Sequence, residues 1–169
     1  METNKFKRIW QHAKHPGFRV RRLFSSAALN AMAESIGESE KRHQGQIRFV
    51  IESHFPLEAL WRGVQPQTRA WQWFGELGVW NTEANCGVLV YISFADHQVE
   101  IVADRGIAAR VPQQEWQAVC DRILAGFSAG EFNRGLNDGL QQITAILQQH
   151  YPRSGVAGDD ELPNTVVLR

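Results

Sequence analysis

Residues 78–106, GVWNTEANCGVLVYISFADHQVEIVADRG, contain two apolar segments between polar loops. Within this stretch, residues 87–94 are apolar apart from Ser93, which is typical of a central strand covered on both faces. A short turn at Asp96 and His97 leads to VEIVA at 99–103, which predicts an antiparallel hairpin partner. The stretch therefore predicts the middle of a mixed β-sheet.

The residues before this stretch predict another strand and a helix. Residues 46–53, QIRFVIES, place alternate apolar side chains on one side, as expected of a buried strand. Residues 68–77 carry a helical apolar stripe, which consists of Ala70, Trp71, Phe74 and Leu77. Trp73 and Trp80 fall outside that stripe. They are expected either to be partly exposed, as a partner surface would be, or to cover the edge of the sheet. A strand, a helix and a strand in this order predict that the two strands are parallel.

Three longer helices are predicted from apolar residues at three- and four-residue spacing. The first begins at Pro16 and continues through residues 18–43. Two more follow the hairpin, at residues 112–127 and 131–152. The element order αβαββαα predicts an α/β fold, a three-layer α/β/α sandwich on a small mixed sheet, in one domain at residues 25–151.

The two ends of the chain differ from this domain in composition. Residues 1–24 carry a net charge of +6 in a chain whose formal charge is zero. This basic N-terminal arm is expected either to touch anionic lipid or RNA, or to lie against the acidic body. Residues 152–169 are rich in glycine and acidic residues and are predicted to be a flexible tail. Zero net charge argues against nucleic acid as the main partner.

No segment predicts export or membrane insertion. No apolar run approaches the ~18 residues of a membrane span, and the first 18 residues lack the apolar core of a signal peptide. Cys86 and Cys120 are then expected to be reduced thiols in a cytoplasmic protein.

The motif WNTEANCGVLVYISFADHQVEIVADRGI at residues 80–107 resembles the TPM domain family. The resemblance continues through FSAGEFNRGLNDGL at 127–140 and covers residues 25–151. The resemblance implies a Rossmann-like α/β/α sandwich and a TPM domain protein of the bacterial type. It implies no agreed biochemical activity. Some members of that family resemble acid phosphatases in assays, some bind calcium, and many are tethered to membranes.

Polar residues flank the strands at both edges of the predicted sheet. At the carboxyl ends of the parallel strands, where open α/β sheets commonly bind ligands, lie Glu52, Ser53, His54, Ser93 and Asp96. At the opposite edge lie the ligand-binding candidates Asn81, Thr82, Glu83, Asn85, Asp104 and Arg105. We favour the second edge because the family resemblance is concentrated there.

Two interpretations of this second edge remain open. Glu83 and Asp104, with the amide oxygens of Asn81 and Asn85, are the hard oxygen ligands that calcium prefers, so one interpretation is a calcium site. In the other, the short polar side chains cap backbone turns, and Asp104 pairs with an arginine or with the start of a helix.

The functional expectation is a binding or assembly module with a protein partner, placed close to a membrane. The alternative is a metal-assisted phosphatase at the loops of Glu83 and Asp104. Phosphoryl transfer needs a nucleophile, an acid or base, and cationic groups, of which Asp104 and Arg105 supply two. His54 would serve as the acid only if the fold brought it close to them, and the sequence contains no recognisable catalytic set.

Overall fold

The computed structural model describes residues 2–153 and 161–169, with side chains from Lys5 onward. A four-stranded mixed sheet of order β3-β2-β1-β4 consists of β1 (Gln46–Glu52), β2 (Gly87–Ser93), β3 (Gln98–Ala103) and β4 (Val167–Leu168). β1 runs parallel to β2 and β4, and β2 forms the predicted antiparallel hairpin with β3. Three of these four strands lie where the sequence predicted them.

Helices cover both faces of the sheet. They are α1 (Glu2–Ala13), α2 (Gly17–Leu23), α3 (Ser26–Glu40), α4 (Leu57–Trp61), α5 (Pro66–Glu76), α6 (Arg105–Ala108), α7 (Gln113–Ser128) and α8 (Phe132–His150). The larger apolar core joins one face of the sheet to α2, α3, α7 and α8. The smaller core joins the other face to α4 and α5, with Ile9 of α1 at its margin. The predicted three-layer α/β/α sandwich is therefore confirmed.

Every residue of β1 and β2 is buried, which explains their apolar composition. Ile47, Phe49 and Ile51 point into the larger core, whereas Val50 points into the smaller one. Tyr91 of β2 also faces the smaller core. Because successive side chains of a strand point to opposite faces, a strand between two helical layers needs apolar residues at nearly every position.

The prediction of one helix from Pro16 through residue 43 is wrong. The chain forms α2 and α3 instead, and the break falls at Phe24 and Ser25. Ser25 is the N-cap of α3, where its Oγ accepts a hydrogen bond from the backbone N–H of Ala28 at 3.2 Å. A serine that satisfies a free N–H in this way favours a helix start over a helix interior.

The prediction of a flexible tail over residues 152–169 is wrong for its second half; residues 154–160 lie outside the described residues. Val167 and Leu168 of β4 pair with β1. Beyond them, the N–H of Arg169 donates to the carbonyl of Ile51 at 2.9 Å. Leu162 is buried in the smaller core. The C-terminal residues are thus an edge strand of the sheet.

The prediction that Trp71 belongs to the core stripe of α5 is wrong, and Trp73 occupies the core instead. Trp73 is only 8% exposed, whereas Trp71 is 56% exposed. The indole N–H of Trp73 donates to the buried carboxylate of Glu52 at 3.3 Å, which gives its polar atom a partner inside the core. Trp80 is exposed, which agrees with the first of the two alternatives for it.

Candidate functional site

The two loops singled out in the sequence do meet at one edge of the sheet. Val88 pairs with Ala103 at the start of the hairpin, and the N–H of Asp104 donates to the carbonyl of Gly87 at 2.8 Å. The loop of residues 81–85, which enters β2, therefore lies beside Asp104, which leaves β3. The fold brings these candidates together as the topology requires.

Most polar side chains at this edge already have partners. Thr82 accepts the N–H of Cys86 on Oγ1 at 2.9 Å. Asp104 is the N-cap of α6, where its Oδ1 accepts the N–H of Arg105 at 2.7 Å. Arg105 in turn donates through Nε to Oδ1 of Asn85 at 2.9 Å. These contacts are those expected of backbone capping.

The remaining candidates are more open. Asn81 and Glu83 are exposed, and the backbone N–H of Glu83 donates to Oε2 of Glu161 at 2.8 Å. Oδ2 of Asp104 is buried and has no hydrogen-bond partner. Within residues 2–153 and 161–169, no group of three or more His, Cys, Asp or Glu side chains is placed to hold a metal ion. The edge thus offers a cation one buried carboxylate oxygen.

The opposite edge contains a buried charge network around Glu52. Its carboxylate accepts hydrogen bonds from the guanidinium of Arg69 at 2.5 and 3.1 Å and from the hydroxyl of Tyr91 at 2.6 Å. The hydrogen bond with Glu52 raises the pKa of Arg69, and burial raises that of Tyr91. Ser53 bonds to the C-terminal segment, since its Oγ donates to the carbonyl of Arg169 at 2.6 Å. This network holds β1, β2, α5 and the chain end together.

A second network at the same edge attaches α1 to the sheet through Asp96. Arg8 donates to both carboxylate oxygens of Asp96, through Nε at 2.8 Å and Nη2 at 3.0 Å, and Ser93 donates at 2.8 Å. Nδ1 of His12 accepts the N–H of Phe55 at 2.9 Å, so Nε2 carries the proton that points at Oδ1 of Asp96, 3.1 Å away. Burial by itself would raise the pKa of Asp96, but the hydrogen bonds from His12, Arg8 and Ser93 hold it far below its usual value. Asp96 is therefore an ionised, fully partnered carboxylate.

Comparisons with known proteins agree with this architecture. A family model described as the TPM domain matches residues 20–146. The chain belongs to the TPM domain family. Among curated proteins, a sequence search found no match.

Solved structures resemble this TPM domain over most of their length. The NMR structure of the BA42 protein from the psychrophilic bacterium Bizionia argentinensis is 28% identical, with a TM-score of 0.75 over 85% of this chain and 94% of that one. An N-terminal domain from P. gingivalis is 21% identical, with a TM-score of 0.55 over 79% of this chain and 83% of its own. The N-terminal domain of the cg2496 protein from Corynebacterium glutamicum is 15% identical, with a TM-score of 0.56 over 79% and 80% of the two chains. These last two likenesses concern the fold alone.

The N-terminal arm of this TPM domain is helical and packs on its body. Arg8, Gln11 and His12 face the sheet, and Nε2 of Gln11 donates to the carbonyl of Ala95 at 2.5 Å. Phe6 and Trp10 point away from the body and are exposed. The usual arrangement of a surface helix is thus inverted, because the polar side of α1 is docked and its large aromatic side chains are in water.

The exposed side of α1 continues onto α4. The rings of Phe6 and Trp61 meet edge to face, with centroids 5.8 Å apart. We call Phe6, Trp10, Leu57 and Trp61 the aromatic face; all four are exposed. The sequence does contain a signal for the aromatic face, because Phe6, Ile9, Trp10 and Ala13 form an apolar stripe at helical spacing. The sequence analysis missed this stripe because it considered only the positive charge of the N-terminal arm.

Proposed function

We propose that this TPM domain is a binding and assembly module that works at the surface of an anionic membrane, on which it docks through the aromatic face. The observation that carries the proposal is the inverted docking of α1, with its polar side on the protein and its aromatic side chains outside. In the described part of the chain, no helix has the length and apolar composition to span a bilayer. The contact we propose is accordingly peripheral.

The aromatic face consists of large apolar side chains that are each about half exposed or more. Phe6 is 59%, Trp10 64% and Trp61 49% exposed. Leaving such side chains in water costs about 25 cal/mol for each Å² of apolar area. Tryptophan and phenylalanine are residues that membrane-surface helices insert at the level of the lipid headgroups. A bilayer interface would therefore remove from water the surface that the fold leaves uncovered.

Charge around the aromatic face favours an anionic partner. The ammonium group of Lys14 lies 3.2 Å from the centre of the Trp10 ring, and that of Lys5 lies 5.8 Å from that of Trp61. Lys7 of α1 is a third exposed cation, and Lys14 directly follows the end of that helix. Lysine near an anionic leaflet contributes about 1 kcal/mol per residue. Cations beside exposed aromatic rings match a surface that presents lipid phosphates above an apolar layer, such as the cytoplasmic leaflet.

Vesicle flotation tests the proposal directly. Vesicles of phosphatidylcholine with 30 mol% phosphatidylglycerol should bring the full chain to the top of the gradient, whereas pure phosphatidylcholine should recover far less. The double substitution Phe6→Ala/Trp10→Ala should weaken binding by about tenfold or more, because it removes two inserted aromatic side chains. Trp71→Ala is the matched control, since Trp71 is equally exposed but lies on α5.

Point substitutions are preferable here to deletion of residues 1–24. Deletion would remove Val20 and Phe24 from the larger core and would leave Asp96 without Arg8 and His12. Equal binding of the double variant and the wild type would refute membrane docking by the aromatic face. Binding to vesicles only in the presence of a membrane protein would mean that the aromatic face binds a protein partner and not lipid.

A second candidate function is divalent-cation binding at Asp104, which the unpartnered Oδ2 of that residue favours. Calcium at this oxygen would complete its coordination with waters and with oxygens of the adjacent loop, where Glu83 is exposed. A bound cation is also the first requirement of the metal-assisted phosphatase hypothesis, in which it would polarise a phosphate ester.

The melting temperature tests this candidate, because a ligand that binds only the native state stabilises it. Millimolar calcium should raise the melting temperature of the wild type and not that of Asp104→Asn, and a chelator should reverse the rise. Asp121→Asn, on the exposed surface of α7, serves as the control, because it removes a carboxylate away from this edge of the sheet. A calcium shift that persists in Asp104→Asn would place the ion elsewhere. Hydrolysis of p-nitrophenyl phosphate that is insensitive to chelator would contradict the phosphatase hypothesis.

A further inference from the structure

The side chains that attach α1 to the sheet also decide how much of α1 a membrane can reach. Arg8, Gln11 and His12 project from one side of the helix into the end of the sheet. Between them they bond to Asp96, Ala95, Val64 and Phe55. We define these contacts as the latch.

We propose that the latch restrains a membrane anchor: it holds α1 in a docked orientation that limits its affinity for anionic membranes, and its opening produces a stronger anchor. This inference rests on the proposed function, because it concerns the same helix and the same lipid surface. It assigns to Asp96 a regulatory role, in place of the ligand-binding role that its position at the carboxyl ends of the strands suggested.

The geometry shows what the latch withholds. Ile9 lies on the apolar stripe of α1, but in the docked helix it packs at the margin of the smaller core. Phe6 and Trp10 alone of the large apolar side chains of α1 are exposed. In an undocked α1, Phe6, Ile9 and Trp10 share one side and can enter the interface together. Opening of the latch therefore adds the side chain of Ile9 to the surface that can enter the membrane. It also leaves α1 free to lie flat on that membrane.

The latch is built to stay closed in the absence of a competing surface. The side chain of His12 is 1% exposed and that of Asp96 is 10% exposed, so solvent screens this network weakly. The carboxylate of Asp96 accepts two hydrogen bonds on each oxygen, from Arg8 and His12 on Oδ1 and from Arg8 and Ser93 on Oδ2. Removal of its charge leaves the guanidinium of Arg8 without its ionic partner, which weakens the docked state selectively.

Two substitutions that change the charge in opposite directions test the proposal. Asp96→Asn and Arg8→Gln both break the latch, and both should bind vesicles with 30 mol% phosphatidylglycerol about tenfold more tightly than the wild type. The increase for Arg8→Gln is the decisive one, because loss of a cation from α1 would by itself weaken binding to an anionic surface. Asp121→Asn, on the exposed surface of α7, controls for the loss of a negative charge.

Hydrogen exchange at the backbone N–H of Phe55 reports the latch independently of lipid, because that N–H donates to His12. Faster exchange in both variants, with tighter binding in both, would support the proposal. Faster exchange without tighter binding, while the wild type binds vesicles, would overturn the latch and leave the proposed function standing. Unchanged exchange in both variants would also overturn it. Failure of the wild type and of both open variants to bind vesicles would refute the proposed function itself. Binding by the open variants alone would support the latch and would refute docking of the wild type through the aromatic face.

Discussion

His43 should make this protein acid-sensitive in a defined pH window. Its side chain is fully buried, and its Nε2 lies 2.9 Å from Oγ of Ser39, which is in turn 2.6 Å from Oγ1 of Thr144 on α8. Burial lowers the pKa of His43 to about 4, and the nearby charges of Arg153 and Arg42 act in the same direction. The native protein therefore holds this imidazole neutral between α3 and α8.

The sign and size of the effect follow from the difference between the folded and unfolded pKa. An unfolded histidine has a pKa of about 6.5, so between about pH 6.5 and 4 the unfolded chain binds the proton that the native state refuses. Stability is complete above this window and decreases as the pH falls through it. Linkage gives a loss of about 1 kcal/mol at pH 5.5 and of about 2 to 3 kcal/mol at pH 4.5.

Urea unfolding of the wild type and of His43→Gln at pH 7.0, 5.5 and 4.5 measures this contribution. Glutamine retains an N–H donor for Ser39 but does not titrate in this range, so the difference in stability between the two proteins should shrink by the stated amounts on acidification. Other titrating groups affect both proteins alike and cancel in the difference. His54→Gln is the control at an exposed position, and its free energy of unfolding should decrease on acidification as much as that of the wild type. A difference that stays constant from pH 7.0 to 4.5 would refute the reasoning.

Three further expectations concern stability in urea at pH 7. Trp73→Ala should cost about 3 to 4 kcal/mol and Trp71→Ala less than about 1 kcal/mol, since only the former opens a cavity in the core; equal costs would contradict the observed orientation of α5. Tyr91→Phe should cost about 1.5 to 3 kcal/mol, because it removes a hydrogen bond to a buried carboxylate, and a neutral effect would show that the hydroxyl does not support Glu52. Leu162→Ala should cost about 2 to 3 kcal/mol, whereas no loss would restore the prediction of a flexible C-terminal tail.

The candidate site shows where inference from sequence stops. The strand order was sufficient to place the loop of residues 81–85 beside Asp104, because a hairpin brings the start of one strand to the end of the next. It could not show that Thr82 and Asp104 would accept backbone N–H groups, since capping depends on dihedral angles within a few residues. It left calcium binding and capping both open. The hydrogen bonds of Thr82 and Asp104 are those of capping, whereas Oδ2 of Asp104 has no partner and is the atom at which we propose that calcium binds.

The sheet and its two helical layers follow from local sequence patterns. An unbroken apolar run at 87–94 must be covered on both faces, and the spacing of apolar residues in the helices supplies that cover. The conformation of the two ends of the chain and the rotation of α5 depend instead on tertiary contacts. Residues 161–169 have no apolar period of their own and form β4 only because β1 offers an unpaired edge. The local pattern of the N-terminal arm shows only that it is basic. Its docking depends on the contact between His12 and Asp96, which are 84 residues apart along the chain, and local pattern does not reveal a partner so distant. Local periodicity indicates which face of a helix or strand is apolar. The direction in which that face points depends on contacts with residues that are distant in sequence.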